Sequence, residues 1–220
     1  MGNGFEVNKI FILESTKTSR PYLDENGSCY VFIDERLAEE KKKEFPDTML
    51  TQPRYYKMPE LCEICYSAGA DSMLLCTKKS MEKFPLIEAR LEGGPYSHRL
   101  NKAIALLKQT KKIKYLYELA QCQYFVPAKV EQKDDVQIFY SIARHSMADL
   151  GTMYVVFSTK PEFDIWQQDN PGWSLIKVNY ASLKNICGDN DIIINPMGNQ
   201  MILRKKHILE IEKNRAAKKG

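Results

Sequence analysis

The sequence predicts an α/β protein (an α+β arrangement being the near alternative) with a mixed β-sheet layered by helices. Three observations carry this. Short β-branched and aromatic runs, such as Cys29 to Ile33, Met153 to Ser158 and Asp191 to Ile194, alternate with longer stretches whose apolar residues recur at helical spacing. Strands alternating with helices of that length imply layers of helix on sheet. Two stretches of the chain also echo one another, which points to two related α/β halves rather than one long irregular domain.

Taken in order, Ile10 to Leu13 reads as a short buried strand, followed by the Asp24-Glu25-Asn26-Gly27 turn and a second strand at Cys29 to Ile33. Asp34 then caps a charged helix that ends before Pro46. A strand is expected near Arg54 to Lys57. Pro59 opens a helix with Leu61, Cys62, Cys65 and Tyr66 on one face, ended by Gly69. Ser72 to Cys76 follows as a strand.

From Thr77 to His98 the pattern breaks up, and Gly93-Gly94-Pro95 is the strongest punctuation in the chain. The expected organisation is an N-terminal α/β unit over residues 1–92 and a second α/β domain over residues 93–220. The second opens with a helix over Asn101 to Gln109 and another capped by Thr110. Strands follow at Tyr124 to Val126, Val136 to Ile142 and Met153 to Ser158, with Arg144 to Asp149 read as a solvated loop. A helix from about Pro161 through Trp166 comes next, then a strand at Leu175 to Val178 and a short helix through Leu183 and Ile186. Asp191 to Ile194 is a strand, Pro196 and Gly198 make a tight turn, and Met201 to Leu203 resumes as a strand. The last helix runs from Lys205 to about Asn214, and the basic tail beyond Lys213 is expected to fray.

The echo lies in Gly27-Ser-Cys-Tyr-Val-Phe-Ile-Asp against Gly151-Thr-Met-Tyr-Val-Val-Phe-Ser, and in Leu61-Cys-Glu-Ile-Cys65 against Leu183-Lys-Asn-Ile-Cys187. The order strand, helix, strand, helix, strand occurs in both, as an internal duplication would leave it.

Composition narrows the function. At 220 residues, 44% apolar and 27% charged, the chain buries a core without disulfides or metals. Its amino terminus is polar, without a secretory pattern, and its apolar runs are too short to span a bilayer. The expected setting is therefore cytoplasmic and away from membranes, with six reduced cysteines. The net charge of +4 gathers in Lys108 to Lys114, Arg204 to Lys206 and the tail. These read as solvated helix faces rather than a nucleic-acid surface, since no stacking or groove-reading element accompanies them.

No catalytic constellation emerges. Cys62 and Cys65 have metal-ligand spacing but no second pair, so no metal or other cofactor is expected. His145, Ser146 and Asp149 hold a base, a nucleophile and a carboxylate, but triads assemble from distant segments and no Gly-x-Ser-x-Gly elbow is present. Nor is there a phosphate-cradling loop at Asn3-Gly4 or Gly93-Gly94. The candidate binding surface is the polar loop flanked by Trp166 and Trp173, with the turn Asn195, Pro196 and Gly198. Aromatic residues in a polar loop often mark recognition, and the competing reading has both tryptophans folding back over the sheet end.

Several of these residues carry a resemblance. Tyr154-Val-Val-Phe-Ser-Thr-Lys-Pro-Glu-Phe163 with Trp166, and Asp191-Ile-Ile-Ile-Asn-Pro-Met-Gly198, resemble the strand–helix signature and the Ile-Asn-Pro-x-Gly turn of the SseB-like family. The upstream Leu100 to Val126 segment, ending in Val126-Pro127, fits as well. The resemblance covers about Leu100 to Leu209. It implies an α/β domain and brings no established catalytic residues. The expected role is a non-enzymatic binding or regulatory protein with a protein partner. The alternatives are an enzyme using His145, Asp149 or Cys187, and a nucleic-acid binder acting through the basic helices.

Overall fold

The computed structural model describes residues 9–86, 97–133, 137–147 and 151–218. The expected features at Asn3-Gly4, Gly93-Gly94-Pro95 and Asp149 lie outside the described residues. The chain is an α/β protein with mixed sheets, as its alternating pattern predicts. It divides into two compact units: Met1–Gly93 with Asn101–Lys112, and Gly94–Leu100 with Ile113–Gly220.

In unit 1 the order is β1 (Phe11–Ser15), β2 (Arg20–Pro21), β3 (Ser28–Phe32), α1 (Glu35–Lys42), β4 (Thr48–Leu50), α2 (Met58–Ser67), β5 (Ser72–Cys76), β6 (Met81–Pro85) and, from Asn101 on, α3 (His98–Thr110). The strands lie in the order β2-β1-β3-β5-β6, with β4 also on β1. β3 and β5 are parallel, and β1 and β6 flank them antiparallel. Every residue of β3 is buried, as expected of a parallel strand covered on both faces. Tyr30 and Phe32 pack on one face with Phe11, Leu13, Leu74 and Ala38 of α1. Asp34 caps α1 as predicted, its Oδ1 accepting from the Leu37 N–H at 3.0 Å.

Helix α3 joins unit 1 through its own polar bonds. Asn101 Nδ2 donates to the Ser67 carbonyl at 2.7 Å, and Lys102 pairs with Asp71. The approach is close at Gly69, where φ is +99° and an added Cβ would stand 2.3 Å from the Lys102 amide nitrogen. Only glycine fits there.

Unit 2 continues with α4 (Ile113–Glu118), β7 (Gln123–Lys133), β8 (Gln137–Ile142), β9 (Arg144–Met147), β10 (Gly151–Val156), α5 (Lys160–Asp169), β11 (Ser174–Asn179), α6 (Tyr180–Cys187), β12 (Ile192–Ile194), β13 (Met201–Leu203) and α7 (Lys205–Ala217). One sheet has the order β13-β12-β10-β9, with β10 and β12 parallel and both outer strands antiparallel. A second, antiparallel sheet has the order β11-β7-β8. The two are tied at Phe125 and Phe157, whose backbones exchange hydrogen bonds of 2.9 and 2.7 Å.

Some elements differ from expectation. The strand sought near Arg54 is a single bridge from Arg54 to Ile10, and the strand itself lies earlier, at β4. Arg144 to Met147 is not a loop but β9, because its backbone pairs with β10 from Met147↔Gly151 to Arg144↔Tyr154. Thr110 closes α3 rather than opening α4: its Oγ1 donates to the Leu106 carbonyl at 2.7 Å. The basic stretch after Lys213 continues α7 as far as Ala217.

Candidate functional site

In open α/β sheets, ligands gather outside the carboxyl ends of the parallel strands. In unit 2 those ends are Phe157-Ser158-Thr159 after β10 and Asn195-Pro196-Met197-Gly198 after β12. Helix α5 begins at the same edge, with Thr159 as its N-cap: Thr159 Oγ1 accepts from the Glu162 N–H at 3.2 Å.

A buried polar network joins the two strand ends. Asn195 is 1% exposed and Ser158 fully buried. Asn195 Oδ1 accepts from the Ser158 N–H at 2.8 Å, while its Nδ2 donates to Ser158 Oγ at 2.9 Å. Ser158 Oγ in turn donates to Glu162 Oε2 at 3.1 Å, and Thr159 Oγ1 donates to the same oxygen at 3.2 Å. Asn195 itself sits at φ 54°, the left-handed conformation that asparagine tolerates better than most residues. Gly198 lies over the carboxylate, where an added Cβ would be 2.9 Å from Glu162 Oε1. The turn is thus seated on the first turn of α5 by side chains that face inward. Its outer surface carries Met197, 58% exposed, between the partly buried Pro196 and the exposed Gly198.

The tryptophans sit at the other end of α5, a helix of ten residues and so about 15 Å long at the usual rise. Trp166 is only 5% exposed and belongs to the core with Phe157, Phe163, Val155 and Ile193. Its ring lies 5.6 Å from that of Phe157 and 6.3 Å from that of Trp173. Trp173 is half-buried. Gln167 Nε2 donates to its carbonyl at 2.6 Å, and Lys129 Nζ stands 5.0 Å from its ring centroid. The two parts of the predicted surface therefore do not converge. Trp166 and Asn195 face inward, while Trp173, Pro196 and Gly198 are reached from outside in two separate places.

Of the residues of the enzyme alternative, His145 and Cys187 lie among the described residues, and no hydrogen bond joins the two there. His145 is exposed on β9, and Ser146 makes a cross-strand hydroxyl contact with Thr152 at 3.0 Å. Cys187 is 1% exposed, and burial pushes its thiol up to about 12, far from the thiolate a nucleophile requires. In unit 1, Cys65 is buried and Cys62 half-buried, and the Cys65 thiol together with burial pushes the Cys29 thiol well up. Among the described residues, no three His, Cys, Asp or Glu side chains converge as metal ligands. The basic clusters are largely engaged: Lys112 pairs with Glu25, Arg204 with Asp191 at 2.7 Å and Arg215 with Glu212 at 2.9 Å.

Sequence reasoning missed Ser158, Thr159 and Glu162. A signal was present, since Thr159-Lys-Pro-Glu162 has the spacing of a helix capping box. Here the glutamate turns to the two hydroxyls.

No protein-family model matches the sequence, and no curated protein does. Among solved structures the chain is similar to one described as "Anabaena Tic22 (protein transport)", at 14% identity over 83% of this chain and 82% of that one. The TM-score is 0.21, too low for that likeness to carry any argument. Among the described residues, no helix is long and apolar enough to cross a membrane.

Proposed function

We propose that this is a non-enzymatic binding or regulatory protein that engages a protein partner through the turn after β12. The observation that carries the reading is the seating of that turn. Asn195, Ser158 and Glu162 hold it from beneath, so an apolar side chain, Met197, is presented to solvent at 58% exposure from a rigid base. Preorganised apolar groups of this kind bind at lower entropic cost than those on loose loops. Trp173 with Lys129 is a second, separate contact patch on the same unit.

The proposal extends to the origin and setting of the chain. The strand order antiparallel–parallel–antiparallel, with two helices between the parallel strands, recurs in both units, and this supports an internal duplication. The SseB-like reading rests on the Asn195-Pro196-Met197-Gly198 turn and the β10–α5 junction, and a cytoplasmic location goes with it.

The test is affinity capture of the tagged chain from its own cells, in parallel with a Met197→Asp variant. The reading expects a stoichiometric protein that the wild type retains at high salt and the variant loses, with both chains equally folded. Identical capture by both would remove the turn as the contact.

A further inference from the structure

The turn Asp24-Glu25-Asn26-Gly27, which leads into β3, carries a reactive pair. Asparagine followed by glycine is the sequence in which a backbone nitrogen most readily attacks a side-chain amide, because glycine has no Cβ to block the approach. Asn3 and Asn26 are the two asparagines of the chain that precede glycine, and Asn3 lies outside the described residues. Asn26 is exposed, whereas Gly27 is buried.

The turn holds the nucleophile back. The Gly27 N–H donates to the Asp24 carbonyl at 2.9 Å. Asp24 Oδ1 accepts from the Asn26 N–H at 2.9 Å and from the Ser28 N–H at 2.8 Å. Gly27 is also fixed from its far side, where its carbonyl accepts from the Asp71 N–H at 2.7 Å. An added Cβ, at a φ of +75°, would stand 2.6 Å from Asp71 Oδ2 and 2.8 Å from Lys102 Nζ. Lys102 pairs with Asp71 and Lys112 with Glu25, so this turn ties the sheet of unit 1 to α3 and to the chain just beyond it.

We propose that Asn26 is a deamidation site gated by the folding of unit 1. When the turn opens, the Gly27 nitrogen loses its proton to hydroxide and bonds to Asn26 Cγ. The bond from Cγ to the side-chain nitrogen breaks, and that nitrogen takes a proton from water and leaves as ammonia. Water then opens the succinimide. Cleavage between the Gly27 nitrogen and Cγ leaves aspartate; cleavage at the other carbonyl leaves isoaspartate, whose backbone runs through Cβ. One water is consumed and one ammonia released. The aspartate form keeps the backbone of the turn. The isoaspartate form adds a carbon directly ahead of Gly27, which is packed against Asp71 and Lys102 without room to shift.

The experiment incubates the full chain at mildly alkaline pH, folded in buffer and unfolded in urea. Peptide mapping by mass spectrometry follows residue 26 apart from Asn3. Asn26 is expected to react about tenfold or more slowly in the folded chain, because reaction waits on the opening of the turn. Asp24→Ala removes the side-chain acceptor of the Asn26 and Ser28 amides, so it is expected to raise the folded rate and leave the urea rate unchanged. Asp24→Asn, which keeps an acceptor oxygen, is expected to stay close to wild type. Far-ultraviolet circular dichroism shows that each variant is folded, and the wild-type comparison decides the point even if Asp24→Ala is not. Of the two products, the isoaspartate form is expected to unfold at a lower temperature than Asn26→Asp, which reproduces the aspartate form. The proposal fails if Asn26 reacts as fast folded as unfolded, or if it stays intact in urea. It fails equally if folded Asp24→Ala reacts like wild type, and equal midpoints for the two products overturn the role given to Gly27.

Discussion

Asn195→Ala takes three things from unit 2 at once. The buried Ser158 N–H loses its 2.8 Å acceptor, Ser158 Oγ loses its 2.9 Å donor, and an alanine must hold φ 54°. Leaving a buried N–H unpaired costs about 1–3 kcal/mol, and a Cβ-bearing residue without a helpful side chain adds roughly 1 kcal/mol in the left-handed region. The sum is about 3 kcal/mol. Asn195→Gly is the informative control. It loses the same hydrogen bonds but relieves the backbone, so it is expected to cost about 1 kcal/mol less than alanine. Urea unfolding followed by tryptophan fluorescence reads the effect directly, since both tryptophans, Trp166 and Trp173, lie in unit 2. The reasoning is refuted if the alanine variant unfolds within about 0.5 kcal/mol of wild type at unchanged m-value, the range of an ordinary surface change. It is also refuted if glycine is worse than alanine.

Gly69→Ala is expected to cost roughly 3 kcal/mol or more in unit 1, because its Cβ would stand 2.3 Å from the Lys102 amide at φ +99°. Gly151→Ala, with φ +76° and nothing within 4 Å, is expected to cost only about 1 kcal/mol, and thermal unfolding compares the two. Of the six cysteines, Cys62 alone is not buried, so a thiol reagent at mild alkaline pH is expected to label it in the native chain. The other five react only on unfolding, Cys122 and Cys187 with thiols raised by burial to about 12. Burial and the Lys206 charge hold His207 below its ordinary 6.5, against the opposing pull of Asp191. Its Nδ1 accepts the Arg204 N–H at 3.2 Å, capping α7, a bond that protonation removes. Because the folded value is the lower one, its contribution is complete above 6.5 and is lost as pH falls through the folded value. Urea midpoints across that range should therefore decline, and His207→Gln should flatten the decline.

Much of the fold was legible in the sequence because the central strands are apolar on both faces. β3, β5, β10 and β12 announce themselves through runs such as Tyr30-Val-Phe32 and Ile192-Ile-Ile194, and turn residues mark their ends. β6 was not legible. It is an edge strand whose Met81, Glu82 and Lys83 are all exposed, so no periodicity betrays it; its partner β5 makes it a strand. β9 escaped for the same reason, with Arg144, His145 and Ser146 exposed and only β10 to order them.

The candidate site was legible in half. The Asn195-Pro196-x-Gly198 pattern announces a turn, but nothing local to it says that Asn195 reaches Ser158 across 37 positions of sequence. The tryptophans illustrate the opposite limit. Flanking polar residues suggested a surface, whereas Trp166 is drawn inward by Phe157 and Phe163, a packing preference that only the assembled sheet expresses.

The central claim is that the turn after β12 is a rigid, outward-facing contact surface. Comparing the proteins captured from cells by wild type, Met197→Asp and Asn195→Gly tests it most directly. The account predicts a stoichiometric partner with wild type, its loss with Met197→Asp, and weakened retention with Asn195→Gly, which loosens the seat without changing the exposed side chain. The same captured proteins in the same amounts from all three chains would contradict it.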